Sequence, residues 1–269
     1  MAEPLAGAEG APPPPGPLNM LWIGESLGPV ERACMRSVLR QGHRLALFCY
    51  APPAGVPEGV ELRDAADILP RARIMRHRSG SVALFANWFR YELQRRGEGV
   101  WLDVDTYLVR PMMLDRPYLF GWEDQWIIAN GVLSMPPDSP LLGPLLRIFE
   151  EREVPPWLRP HARAAAYWRR WRTGRTGVEK MPWGSAGPRA LTYLARAHGV
   201  ERWALPPAYF YPVHWRQSDW IRDPRRRLEQ FIHPETVAVH LWNHRIRRFK
   251  DEPAPQGSFL ARLQREGRR

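Results

Sequence analysis

Gly97-Glu98-Gly99-Val100-Trp101-Leu102-Asp103-Val104-Asp105-Thr106-Tyr107-Leu108-Val109-Arg110-Pro111 reads as a tight turn, a short buried strand and an abrupt polar ending. Val100, Leu102 and Val104 alternate with Trp101, Asp103 and Asp105. An extended chain repeats every two residues, so both carboxylates are expected on one side. Two acids at i and i+2, where a hydrophobic strand runs out, serve a core poorly and a cation well. Like charges this close repel unless something positive sits between them. A hard divalent ion, Mg²⁺ or Mn²⁺, does that with oxygen ligands and keeps open positions for a phosphate. The plainer alternative is a pair of solvated acids in a strand-end loop, and the surroundings of the motif decide between the two.

Immediately upstream, Val82, Phe85, Phe89 and Leu93 form the apolar stripe of a helix that Ser79 or Ser81 would cap and that runs to about Arg96. Asn87 and Arg90, three apart, share a neighbouring face. The helix leads straight into the strand, so an Asn and an Arg are expected beside the Asp pair. Arg90 either neutralises Asp103 or Asp105, or positions a diphosphate and orients a carboxylate.

Toward the N-terminus, Asn19–Ile23 predicts a short strand, Pro29–Gln41 a helix closed by Gly42, and Arg44–Tyr50 a second strand. This is a βαβ unit, which implies a parallel sheet. Val60–Leu62 is a shorter apolar run, and Asp64–Leu69 reads as one helical turn. Toward the C-terminus, Pro117–Trp122 and Trp126–Met135 read as strands, with Glu123 and Asp124 between them and Asn130-Gly131 interrupting the second. Leu141–Arg152 is an amphipathic helix. Residues 155–177 are rich in Arg and Trp and read as a lid or a surface helix. Trp183–Pro188 is a Gly-rich loop opening a helix over Arg189–His198; such N-termini favour anions. Tyr209–Trp215 reads as extended and aromatic, and Thr236–Trp242 as a late strand. Three parts are expected: a Pro/Ala/Gly leader at 1–17, one α/β domain at 18–250 built on a mostly parallel twisted sheet flanked by helices, and a charged, frayed tail at 251–269.

The 269 residues suffice for one large domain, and thirteen Trp with 44% hydrophobic residues supply a core. No run of about 18 apolar residues predicts a transmembrane helix, and Met1–Pro17 lacks the regions of a secretory signal. Cys34 and Cys49 make neither a disulfide framework nor a metal spacing. They are expected as buried free thiols, and a reducing cytoplasm is expected with them. The net charge of +11 is carried largely by arginine. It reflects either a coding bias or a basic face for anionic partners.

The joined pattern Phe85-Ala86-Asn87-Trp88-Phe89-Arg90-Tyr91, then Gly97 to Asp105, then Leu108-Val109-Arg110-Pro111 resembles the glycosyltransferase family 32 and capsular-polysaccharide-synthesis group, which carry an Asp-x-Asp sugar-binding region. Trp22-Ile23-Gly24 looks like that family's first-strand nucleotide loop. Asn130, Gly187-Pro188 and His240-Leu241-Trp242-Asn243 follow in the expected order, so the resemblance spans roughly 19–245. It implies a GT-A fold and a retaining, metal-dependent hexosyltransferase of polysaccharide biosynthesis that uses a nucleotide-sugar donor and a glycan, lipid-linked or protein acceptor. Asp105 would ligate Mn²⁺ or Mg²⁺, and Asp103 would share the metal or take the ribose. His240 would be a third ligand, or else a buried strand histidine. Arg90 would contact sugar or phosphate, Trp22 and Gly24 would line the base pocket, Asn87 would belong to the donor site and Asn130 would reach the sugar. The Gly187 loop, with residues 157–175, would shape the acceptor side. Two departures bear on the site. Asn87 stands where many members have Asp, and Glu98 replaces the first Gly of the usual Gly-Gly turn.

Rival readings fit less of the chain. A haloacid-dehalogenase-type phosphohydrolase wants Thr or Val where Tyr107 stands, and a later Lys and acidic pair. A non-enzymatic nucleic-acid binder accounts for the charge, but no nucleic-acid-binding signature is present and the Asp pair stays unexplained. A degenerate transferase that binds sugars without turnover is the third. Specific nucleic acid is therefore not an expected partner, whereas peripheral contact of a basic face with an anionic inner membrane leaflet is.

Overall fold

The computed structural model describes residues 17–113 and 116–268. Apart from Pro17, the leader expected at 1–17 lies outside the described residues. Strand β1 (Leu18–Trp22), helix α1 (Pro29–Arg40), β2 (Leu45–Cys49) and β3 (Val60–Asp64) open the chain. β1 pairs in parallel with β2, and β2 with β3. Helix α2 (Ala83–Arg95) then feeds β4 (Val100–Leu102), which pairs in parallel with the other side of β1. β6 (Leu119–Trp122) and β7 (Ile128–Ser134) form a hairpin that joins β4 antiparallel. The six-stranded order is β3-β2-β1-β4-β7-β6, a mostly parallel sheet with an antiparallel edge, as expected.

Alternation along the strands gives each face a separate core. Leu21, Phe48, Trp101 and Leu133 face α2, α3 (Leu142–Glu150) and α5 (Pro188–Ala197). Met20, Leu47, Val100 and Leu102 face Met35 and Val38 of α1. Cys34 and Cys49 are buried free thiols. Between α3 and α5 runs α4 (Pro160–Thr173), the surface helix of the two readings of residues 155–177, anchored by Ala162 and Ala166.

Four expectations are corrected. First, the Asp pair does not extend the strand. β4 stops at Leu102, and Asp103–Thr106 is a turn in which Thr106 N–H donates to the Asp103 carbonyl at 3.0 Å. β5 (Thr106–Leu108) leaves the main sheet and pairs antiparallel with β8 (Ala238–His240). Second, Tyr209–Trp215 is not extended: α6 (Pro207–Phe210) begins on a proline, whose fixed φ suits a first helical position, and a 3₁₀ helix covers Trp215–Arg222. Third, the late strand is only β8, which ends where Trp242 turns into the left-handed region (φ 60°) to open α7 (Asn243–Ile246). Fourth, the tail is not frayed. Its Phe259, Leu260 and Leu263 form the inner face of α8 (Phe259–Arg268), buried with Val30, Ala33 and Cys34 of α1. Its Gly267 lies so close that an added Cβ would fall 1.9 Å from the Pro29 carbonyl oxygen.

The turn before β4 explains the Glu98 departure. The left-handed positions are Gly97 (φ 69°) and Gly99 (φ 97°), so Glu98 takes an ordinary φ between them and pairs with Arg63 at 2.7 Å. A Cβ on Gly99 would lie 2.6 Å from the Pro17 carbonyl.

Candidate active site

Asp103 stands where β4 runs out at the carboxyl end of the parallel strands, the usual location of ligand sites in open α/β sheets. Its own N–H donates to the Gly131 carbonyl of β7 at 2.7 Å, which fixes the turn. Its Oδ1 accepts from Trp101 Nε1 at 2.9 Å and pairs with Arg90 Nη2 at 2.9 Å. Its Oδ2 lies 3.4 Å from His240 Nε2. The same Nε2 is 3.6 Å from Asp105 Oδ1. Asp105 is held from its other side, where Oδ2 accepts from Asn243 N–H at 2.5 Å and its carbonyl accepts from Leu241 N–H. The bend at Trp242 aims that Asn243 N–H. β8 therefore brings His240 back across 137 residues to the carboxylates.

Asp103, Asp105 and His240 each offer a ligand atom, and these lie within 4.8 Å of one another. They are the metal-competent group found among the described residues. Two carboxylates and one imidazole suit Mn²⁺ or Mg²⁺. Gly131 keeps the space: a Cβ there would lie 2.9 Å from His240 Cδ2 and 3.2 Å from Asp103 Oδ2. His240 Nδ1 accepts from Trp242 N–H at 3.2 Å, so the neutral ring carries its proton on Nε2, facing the acids. Ligation through Nε2 would move that proton to Nδ1 and give up this long bond. The donor set fits a divalent cation.

The charges are mutually adjusted. Burial alone would raise the Asp103 pKa, but Arg90, His240 and the Trp101 N–H outweigh it and hold the carboxyl below its ordinary value. Burial would lower His240, but Asp105 and Asp103 raise it. Glu123 rises to about 7, from burial first and the neighbouring Asp124 second.

Asp103 and His240 line a cavity of about 410 Å³, together with Arg90, Asn87 and Asn130; this size suits a small ligand. Asp105, 5% exposed, is not in its lining. Each of the three Arg90 guanidinium nitrogens has a partner: besides Nη2 on Asp103, Nη1 donates to the Asn130 carbonyl and Nε to the Ala86 carbonyl, and the group stacks on Trp101. Asn130 Nδ2 donates to Asn87 Oδ1 at 3.0 Å and to Tyr91 Oη at 3.2 Å. Gly187 backs Asn87, since a Cβ there would lie 2.8 Å from Asn87 Nδ2. Trp22 and Gly24 pack on one another and are not in the lining. The cavity also takes Trp183 and Arg189, from the Gly-rich loop and the helix it opens, and Glu123, Tyr211 and Trp215, to which the sequence alone assigned no role. Gly131 was detectable, because a glycine inside a strand signals a close approach.

An acid-and-histidine cluster at the strand ends of an α/β domain is matched by what the chain resembles. Residues 179–266 match the family model described as the alpha 1,4-glycosyltransferase conserved region. That segment is similar to a glycosyltransferase region, in keeping with the resemblance of the chain to family 32-like glycosyltransferases. The matched segment contains Gly187 and His240 but neither Asp103 nor Asp105, so the family match and the Asp-x-Asp pattern are separate observations that meet at one cluster. No curated protein matches the chain.

Proposed function

We propose that the protein is a metal-dependent, retaining hexosyltransferase that moves a sugar from a nucleotide-sugar to a glycan, lipid-linked or protein acceptor. The observation that carries this reading is the convergence of Asp103, Asp105 and His240 donor atoms within 4.8 Å beside the cavity. In the reaction the bond from the anomeric carbon to the diphosphate oxygen breaks, a bond to an acceptor oxygen forms, and the acceptor hydroxyl gives its proton to the departing diphosphate. A divalent cation at the cluster would neutralise the departing diphosphate as a Lewis acid. Asp103, Asp105 and His240 would hold that cation. Arg90 keeps Asp103 ionised and aimed, which makes it a positioning residue. Asn130 and Asn87 present amide groups suited to sugar hydroxyls. Retention of configuration is inferred from the family resemblance.

A second, more open cavity shares Ile127 and Arg189 with the first and is lined by Trp126, Trp157 and Tyr193. Aromatic faces next to the site suit the apolar faces of sugar rings, so this side is assigned to the acceptor. Trp157, from the segment expected to shape that side, is fixed there by donating to the Ser185 carbonyl at 2.7 Å.

A thermal-shift panel of nucleotide-sugars with and without Mn²⁺, on the natural chain and Asp105→Ala, tests the reading. A donor near a hundred times its dissociation constant should stabilise the fold by about 2.7 kcal/mol, only with metal and not in the variant. Folded protein that responds to no donor would sink it. Release of free nucleotide with a responsive donor separates turnover from mere binding.

A further inference from the structure

Helix α4 has an outward face that the sugar-transfer reading does not use. Only Ala162 and Ala166 of its fourteen residues are buried. At about 100° per residue, Tyr167, Trp168 and Trp171 fall in one arc opposite those two alanines. All three project into solvent, with Trp171 82% exposed and Trp168 55% exposed. Large apolar surface left in the open marks an interaction site. Arginines stand on both shoulders of this arc: Arg163 and Arg170 on one side, Arg172 on the other, all exposed. None of the three has an ion-pair partner among the described residues, and Arg172 only stacks on the Trp168 ring at 5.3 Å. From Val154 to Val178 there is no Asp or Glu.

We propose that the outward face of α4 docks the protein on an anionic lipid membrane. Trp and Tyr rings favour the level of lipid headgroups, where an apolar body and a polar edge are both accommodated. Arginines flanking such a stripe keep their guanidinium groups at the phosphates while their stems lie along the apolar layer. A helix of fourteen residues, roughly 21 Å long, lies flat in an interface and is too short to cross it. No helix of the described residues is long and apolar enough to span a membrane. Charge complementarity selects an anionic surface. The convex stripe selects lipid over single-stranded nucleic acid, which is bound along basic grooves. The helix is tied to the cavity wall: the Glu151 carboxylate accepts from Gly177 and Val178 N–H just after α4, and Val178 lines the cavity. Docking would thus hold the cavity at a set distance from the bilayer.

The test is co-sedimentation of the full chain with vesicles of phosphatidylcholine alone or with a quarter phosphatidylglycerol. Two variants are compared, Trp168→Ser/Trp171→Ser and Arg163→Ser/Arg170→Ser/Arg172→Ser. Both change exposed positions, so melting temperatures and Mn²⁺-dependent donor shifts should match the natural chain, which separates this proposal from the proposed activity. The natural chain should partition onto the anionic vesicles, less so at high salt, and each variant should lose more than about tenfold in partitioning. No binding to anionic vesicles, equal binding by the variants, or binding of single-stranded polynucleotide in place of vesicles would overturn the proposal.

Discussion

Arg90 and Asp103 form an ion pair at 2.9 Å in which the cation is almost wholly buried and the carboxylate is 26% exposed. The guanidinium, held also by two backbone carbonyls, acts through Asp103 on the whole cluster.

Replacing it should be costly. Arg90→Met leaves Asp103 facing His240 and Asp105 without its main counter-charge, and should destabilise the chelator-treated protein by about 2–4 kcal/mol at pH 7. The pH sense follows from the lowered Asp103 pKa. The pair stabilises the fold above the ordinary carboxylate pKa and is lost as pH falls through the folded value. Urea melts at pH 7 and pH 3.5 should show the variant's deficit shrinking in acid. An undiminished deficit would mean that the cost is packing on Trp101.

Gly131 supplies room rather than chemistry. Gly131→Ala inserts a methyl against His240 and Asp103, which should weaken Mn²⁺ binding by at least about tenfold while the metal-free fold loses about 1–3 kcal/mol to the crowding. Titration calorimetry measures the first and a thermal scan the second. Unchanged Mn²⁺ affinity would place the cation elsewhere.

Glu123 offers a sign test. Its pKa, raised to about 7, means that the folded state keeps a proton which the unfolded chain releases near pH 4.5, so its contribution falls as pH rises between those values. Glu123→Gln removes that dependence. Its stability relative to the natural chain should improve by about 1–2 kcal/mol between pH 5 and pH 8, read from melts at both. A constant difference would show that the carboxyl titrates normally.

Gly267→Ala should loosen α8. Its Cβ would meet the Pro29 backbone at 1.9 Å, a clash that no side-chain rotation relieves. Unfolding should become easier by at least about 2 kcal/mol, and hydrogen exchange should rise in α8 and in α1. Protection equal to the natural chain would show that the helix slides without penalty.

Much of this was readable beforehand because it is local. The apolar stripe of α2 and the run into β4 follow from spacing, and Arg90 beside Asp103 follows from their succession. What was not readable depends on partners distant in sequence. The polar end of the strand at Asp103 was legible, but nothing near it announces that the chain turns there and that β5 pairs with β8. The assembly of His240 with the acids was reached through resemblance, and the geometry of its approach was not. The tail misled for another reason: Phe259, Leu260 and Leu263 already carry a helical stripe, but Arg262, Arg265 and Glu266 around them read as solvated charge. The base pocket expected at Trp22 and Gly24 does not coincide with the cavity, whereas Asn87, Asn130 and Gly187 were brought to the Asp pair or its immediate neighbours.

The pairing of β5 with β8 also sets a clock on biosynthesis. The ribosome delivers Asp103 and His240 137 residues apart, an interval on the order of ten seconds at ordinary elongation rates. Through that interval the nascent chain displays two neighbouring acids with Arg90 but no imidazole, and β5 has no strand to pair with. A growing chain therefore cannot complete the three-ligand cluster early: cation capture as proposed here must wait until β8 has emerged and docked.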